Sequence, residues 1–193
     1  LLIGSSILGE PIFRILQLLK INEMGLIISS SEDFNFGRYM INDDDWTRQS
    51  LKQYIKLNEK KLLYDLLGIE LADLLLLDLD QYKEPQNARF TAIFNPLSFN
   101  FKDKIYHSEG IKEVLKGLVY AEFTKEQNFK NNINGNSQNL YEQGEVISSK
   151  MAGLTNKYNE AIDSFWSIQV FCCDNRDVYP EFNGQSKDYN SIF

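Results

Sequence analysis

The sequence predicts a mainly α-helical chain with short β segments. Three observations predict it. Apolar residues recur at helical spacing in three stretches, centred on Leu51–Leu67, Ile111–Phe123 and Met151–Ile168. Glycine and capping residues stand at the ends of those stretches. A polar, asparagine-rich connection separates the last two. With 193 residues, 43% hydrophobic and 24% charged, the chain has a globular composition and enough length for one sizeable core.

Taken in order, residues 1–41 are read as an N-terminal segment. Pro11 suits the first turn of a helix over Pro11–Lys20, where Ile12, Ile15, Leu16 and Leu19 share a face. Leu26-Ile27-Ile28 reads as a short strand, and Ser29–Tyr39 as loop. Asp45 is read as the N-cap of the first long helix, with acids before it suiting the positive helix end. Leu51, Tyr54, Ile55, Asn58, Leu62 and Leu66 form its stripe, Leu63 and Leu67 widen it, and Gly68 ends it. A second helix, Glu70–Leu79, follows at once. Its Leu74-Leu75-Leu76-Leu77 run has too many apolar faces for an isolated surface helix.

Asp80–Ala88 reads as a turn around Pro85. Arg89–Phe94 reads as a strand ended by Asn95-Pro96, and Leu97–Tyr106 as either a loop or a second short strand. Ser108 opens the next helix, with Ile111, Val114, Leu115, Leu118, Val119 and Phe123 on one face and an end near Asn128. Gly117 within it allows close helix packing. Residues 130–148 are a long connection holding Asn134, Asn136, Leu140 and Tyr141. The residues alone leave open a surface segment or an inter-subunit arm. Ser149 caps the last helix, whose face is Met151, Leu154, Tyr158, Ala161, Ile162, Phe165 and Ile168, ending near Cys173–Asn175. The rest carries Tyr179, Phe182, Tyr189 and Phe193, which either grip a neighbour or fold back on their own domain. The division is therefore 1–41, a core of 42–173, and a C-terminal arm of 174–193.

Net charge is −7, from 20 basic and 27 acidic side chains, which disfavours a nucleic-acid grip. Trp46, Tyr54, Tyr120, Tyr158 and Trp166 are too scattered for a base-stacking platform. The most apolar run, Ile69–Leu79, is interrupted by Glu70, Asp73 and Asp78 and is far shorter than the roughly 20 residues of a membrane span. No export signal is expected. A single histidine, His107, excludes His-rich metal sites, and no cofactor or metal is expected. Asn42–Asp45 lacks the glycine and terminal glutamate of a calcium loop, so helix capping explains it better. The adjacent Cys172 and Cys173 fit no CxxC motif, and reducing surroundings are the default. Cys172 with His107 as nucleophile and base would need elements the sequence keeps apart, and Cys172 lies on a core face. Glu70 with Asp73, or Glu122 with Glu126, share a helix face, which more often means a solvated surface than an acid–base pair. No catalytic residue is assigned.

Two segments carry a family resemblance. Lys60-Lys61-Leu62-Leu63-Tyr64-Asp65-Leu66-Leu67-Gly68 resembles the helix ending in Leu-Gly of tailed-phage head–tail connector adaptors. Asn156-Lys157-Tyr158-Asn159-Glu160-Ala161-Ile162, with Ile168-Gln169 and Tyr179-Pro180-Glu181-Phe182-Asn183-Gly184, resembles the late helix and tail of connectors from phages of Bacteroides-like hosts, the crAss-like group included. The resemblance spans residues 46–184 and does not reach 1–41. It implies a helical connector-adaptor core and a structural, non-enzymatic virion protein at the head–tail junction, assembled in the host cytoplasm. It also implies a homo-oligomeric ring, a dodecamer, touching the portal and other neck or tail proteins. DNA would pass through without sequence-specific binding, and no membrane is involved. By the same resemblance Asn134, Asn136, Leu140, Tyr141, Tyr179, Phe182, Tyr189 and Phe193 are the interface candidates. The readings from other classes are a small intracellular hydrolase using Glu70 and Asp73, and a protein-binding module unrelated to phage.

Overall fold

The computed structural model of the chain describes residues 33–41, 44–133 and 144–185, the side chains of 128–133 and 144–151 excepted. The expected helix Pro11–Lys20 and strand Leu26–Ile28 lie outside the described residues. The described elements run α1 (Asp45–Leu67), α2 (Ile69–Asp78), α3 (Ala88–Phe94), β1 (Leu97–Phe101), β2 (Lys104–Ser108), α4 (Ile111–Ile133) and α5 (Gly144–Asp174). The fold is mainly α-helical, as the apolar periodicity predicted, and among the described residues it has one small antiparallel hairpin.

Helix α1 forms because its apolar residues meet α4 and α5 along one stripe. Leu51, Ile55, Leu62, Leu63, Leu66 and Leu67 are all buried. Its cap is Asp44 rather than the expected Asp45. Asp44 has extended backbone and accepts from Thr47 N at 2.8 Å and from Thr47 Oγ1 at 2.6 Å. Thr47 supplies both donors, which selects the residue three before it. Asp45 instead lies in the first turn and pairs with Arg48 at 3.2 Å.

These hydrogen bonds hold the Asp44 carboxyl below the usual carboxylate range, the Thr47 hydroxyl most of all. A depressed folded pKa stabilises the fold above the unfolded value of about 3.9, and that contribution is lost as pH falls through the folded value. Asp44→Ala is therefore expected to lower the melting temperature at pH 7, with the gap narrowing as pH falls below about 4. Circular dichroism melts check this, and a gap independent of pH would refute the capping role.

Arg89–Phe94 forms helix α3, not a strand. Its Phe, Thr and Ile content favours extended structure, but Phe90, Ile93 and Phe94 are buried together at helical spacing. The Asn87 side chain accepts from Arg89 N at 3.1 Å and caps the turn. Burial and cap override the intrinsic preference. The next stretch takes the strand reading: β1 pairs with β2 from Leu97↔Ser108 to Phe101↔Lys104. Lys102 and Asp103 turn the hairpin at φ 48° and 61°, a two-residue connection with both central residues left-handed. Phe99 stacks on Tyr106 at 5.4 Å and meets Phe171 of α5 edge-on at 5.2 Å. The hairpin is thereby seated on α5.

Ser108 ends β2 instead of opening α4. It is spent on a buried knot: its Oγ accepts from Gly110 N at 3.1 Å and lies 2.8 Å from Ser164 Oγ of α5. Ser164 Oγ in turn accepts from Glu109 N at 2.8 Å. Helix α4 begins at Ile111 and continues past the expected end to Ile133, and α5 begins at Gly144, before the expected Ser149 cap. Both helices thus extend into the stretch read as connection. Asparagine disfavours helix only weakly, by a few tenths of a kcal/mol per residue, so continuing an existing helix is easy. Gly117 lets α4 and α5 pack closely: a Cβ there would stand 2.7 Å from that of Ala161. The core sits between α1, α4 and α5, with α2 packed on α1 and α3 on α4, and Phe165, Leu115, Leu118 and Ile162 are fully enclosed.

Candidate functional site

Two segments placed outside the core by their composition are built into it. Residues 33–41 lie across α4 and α5: Phe34 and Tyr39 are buried, and Tyr39 sits 5.8 Å from Tyr120. Arg38 pairs with Glu109 at 3.1 Å and with Glu160 of α5, and Lys112 pairs with Asp33 at 3.2 Å. Lys157 donates to Arg38 O at 2.6 Å with its ammonium 4.4 Å from the Tyr120 ring centre. A crevice beside Arg38, Glu109, Glu113 and Glu160 has an accessible volume of about 10 Å³. That is room for one water, not for an organic substrate.

At the other end, residues 175–185 fold back over α3 and the end of α1. Tyr179 is 1% exposed and Phe182 6%. Tyr179 donates to Arg89 O at 2.6 Å, and its ring meets Phe171. The Arg89 guanidinium returns the contact, donating to Val178 O at 3.2 Å and to Glu181 at 3.3 Å. Beyond Phe182 the chain becomes a strap on the C-terminal carbonyls of α1. Asn183 N donates to Leu67 O at 3.1 Å and Gln185 N to Asp65 O at 2.7 Å. Gln169 of α5 reaches the same carbonyls, donating to Leu66 O at 3.0 Å and also to Gln185 O at 2.9 Å. The orphan acceptors of a helix end are thus satisfied by tertiary contacts.

Of the interface candidates, Tyr179 and Phe182 are therefore part of the body, and neither side chain faces outward. The arm reading of 174–193 is corrected for 175–185, because the aromatic side chains gain more by burial against α3 and α5 than by exposure. Asn134, Asn136, Leu140, Tyr141, Tyr189 and Phe193 lie outside the described residues. The contacts of Arg89, Gln169, Arg38 and Lys157 had no local signal. Each acts across a separation of tens of residues, which spacing along the chain does not encode. The Leu-Gly and Phe-Asn-Gly segments were legible as motifs, but their mutual contact was not.

Most of the side chains weighed for chemistry have structural partners. Asp73 accepts from Tyr64 Oη at 2.8 Å, while Glu70 is exposed. Glu122 accepts from Tyr54 Oη at 2.9 Å. His107 is exposed on β2 and its Nδ1 meets Ser98 Oγ at 2.7 Å across the hairpin. Cys172 is fully buried, and burial pushes its thiol up to about 12, with Cys173 adding to the rise. It is a neutral thiol near pH 7, not a nucleophile. No His, Cys, Asp and Glu group fit to hold a metal occurs among the described residues. No described helix is long and apolar enough to cross a membrane.

Burial also raises Tyr179 to about 12, and raises Tyr39 and Tyr54 above the phenolic range, with Glu122 adding to the Tyr54 shift. These groups stay protonated in the fold and ionise earlier when unfolded. Their stabilisation is complete below about pH 8 and is lost as pH rises toward the folded values. The melting temperature is expected to fall steadily above pH 9, with a shallower decline in Cys172→Ala. A flat profile to pH 11 would show that the buried thiol and phenols reach solvent without unfolding. No family model, curated protein or solved structure matches the chain.

Proposed function

We propose that the chain is a structural virion protein that forms a neck ring joining the portal to the tail of a tailed phage and continuing the DNA channel. The observation that supports this reading is the contact between its two resemblance-bearing segments. The helix ending at Gly68 and the Phe182-Asn183-Gly184 stretch form one built unit, locked by Asn183 N on Leu67 O and by Gln169 on Leu66 O. Part of the resemblance thus falls on a single structural device, while Asn156–Ile162 lies apart from it on α5, where Lys157 donates to Arg38 O. The mainly helical body is in keeping with it.

The function is one of assembly. A heterologous contact repeated between identical subunits closes a ring, and each copy is stabilised by two neighbours. Net charge of −7 lets DNA phosphates pass without adhesion. Asn134, Asn136, Leu140, Tyr141, Tyr189 and Phe193 are the proposed contacts with neighbouring subunits or the portal. Native mass spectrometry and electron microscopy of purified neck complexes test the reading. Many copies in one ring per particle are expected. Absence of the chain from purified virions would overturn it.

A further inference from the structure

The strap carries two neighbouring residues that can react with each other. Asn183 is exposed and is followed by Gly184. A carboxamide before a glycine is the least hindered setting for ring closure, because glycine has no Cβ to obstruct its own nitrogen. The fold requires glycine there for a different reason: a Cβ would stand 2.2 Å from Leu66 O and 2.6 Å from Gln169 Nε2. Close packing of the strap on α1 thus places the reactive pair at the point of contact. The strap also restrains it. Asn183 N donates to Leu67 O at 3.1 Å and Gln185 N to Asp65 O at 2.7 Å, one on each side of Gly184. Gln169 Nε2 donates to Gln185 O at 2.9 Å. Ring closure needs the Asn183–Gly184 peptide to turn about the Asn183 Cα–C bond until Gly184 N reaches Asn183 Cγ. Backbone tied on both sides resists that turn, so reaction requires local opening of the strap.

We propose that Asn183-Gly184 is a spontaneous deamidation site controlled by the strap, and that its reaction makes strap opening permanent. Gly184 N gives up its proton to water and attacks Asn183 Cγ. The new C–N bond closes a succinimide, the Cγ–Nδ2 bond breaks, and Nδ2 leaves as ammonia with a proton. Water then opens the ring. Attack at Cγ gives aspartate, and attack at the main-chain carbonyl gives a β-linked aspartate. Water is the co-reactant, and nothing is oxidised or reduced. Each product carries a carboxylate where the carboxamide was neutral. That charge stands at the C-terminal end of α1, the negative end of the helix dipole. The β-linked product also adds one carbon, about 1.5 Å, to the main chain between Asn183 N and Gln185 N. Those two donors are matched in spacing to Leu67 O and Asp65 O. Both changes oppose reclosure. The proposal is independent of the ring reading.

The test incubates the full chain at mildly alkaline pH, folded and in urea, and maps the tryptic peptide Asp177–Lys187 by mass and chromatography. In urea, Asn183 is expected to react at a rate comparable to Asn134, which is also followed by glycine. In the folded chain Asn183 is expected to react at least about tenfold more slowly than in urea. Gln169→Ala frees Gln185 O and should speed the reaction in the folded chain; if that variant unfolds, the folded and urea rates of the wild type still decide. Asn183→Gln should abolish the reaction, since its longer side chain closes no five-membered ring. Asn183→Asp supplies the α-linked product directly and should raise trypsin cleavage after Arg176 with circular dichroism unchanged. Equal rates folded and in urea would overturn control by the strap, as would a folded Gln169→Ala that reacts at the wild-type rate. Reaction of Asn134 but not of Asn183 in urea would overturn the site. Deamidated chain cleaved after Arg176 no faster than intact chain would overturn the permanent release.

Discussion

Gly68→Ala is expected to detach the strap 183–185 from the body and to cost at least about 3 kcal/mol of stability. Two independent causes act at this position. The backbone there has φ 85° and ψ 159°, a conformation essentially closed to residues with a Cβ. A Cβ would also stand 2.8 Å from the Asn183 carbonyl carbon and 2.9 Å from its nitrogen. Backbone cannot yield as a flexible side chain does, so the strap must move. Its departure removes the hydrogen bonds from Asn183 N and Gln185 N to the carbonyls of α1, and loosens Phe182 behind it. Gly184→Ala should act in the same direction, since a Cβ there would meet Leu66 O at 2.2 Å. Urea unfolding measures the loss of stability. Limited trypsin digestion reports the detachment, as faster cleavage after Arg176, whose guanidinium is held on Phe182 O at 2.6 Å. Wild-type stability with unchanged cleavage would show that the strap contributes nothing to the fold.

Phe165→Ala is expected to cost about 3–5 kcal/mol. Phe165 is fully buried on α5, within the same apolar cluster as Ile162 and Ile168 and the facing residues of α4. Truncation removes the transfer energy of the ring and leaves a cavity that helices pinned by the Ser108–Ser164 knot cannot close. A cost of this size is a large fraction of the stability of an ordinary domain, about 5–15 kcal/mol. The urea midpoint should fall with little change in slope. A loss below about 1 kcal/mol would place Phe165 outside the core.

The two predictions differ in how legible their residues were. Phe165 stood in a helical stripe with Leu154, Tyr158, Ala161, Ile162 and Ile168, and every one of these is buried. Gly68 was legible as a helix end, but the chain that covers it was not. Asn183 lies far along the sequence, and the hydrogen bonds that bring it back are made by backbone groups, which carry no residue signature. Tyr179 and Phe182 show the same limit from the other side. Their composition suits an adhesive arm as well as a core, and only Arg89, Phe171 and the α1 carbonyls decide between the two.

By itself the sequence determined the mainly helical class, the stripes that face the core, the bend at Gly68 and the acidic balance of the surface. These follow from periodicity, glycine and charge, which are local or additive properties. Tertiary structure alone decided that Arg89–Phe94 is helical, that Phe34 and Tyr39 belong to the core, and that residues 175–185 are a strap. Each of those outcomes turns on side chains and carbonyls from distant parts of the chain. Their energies exist only once the helices have packed, so no local pattern records them.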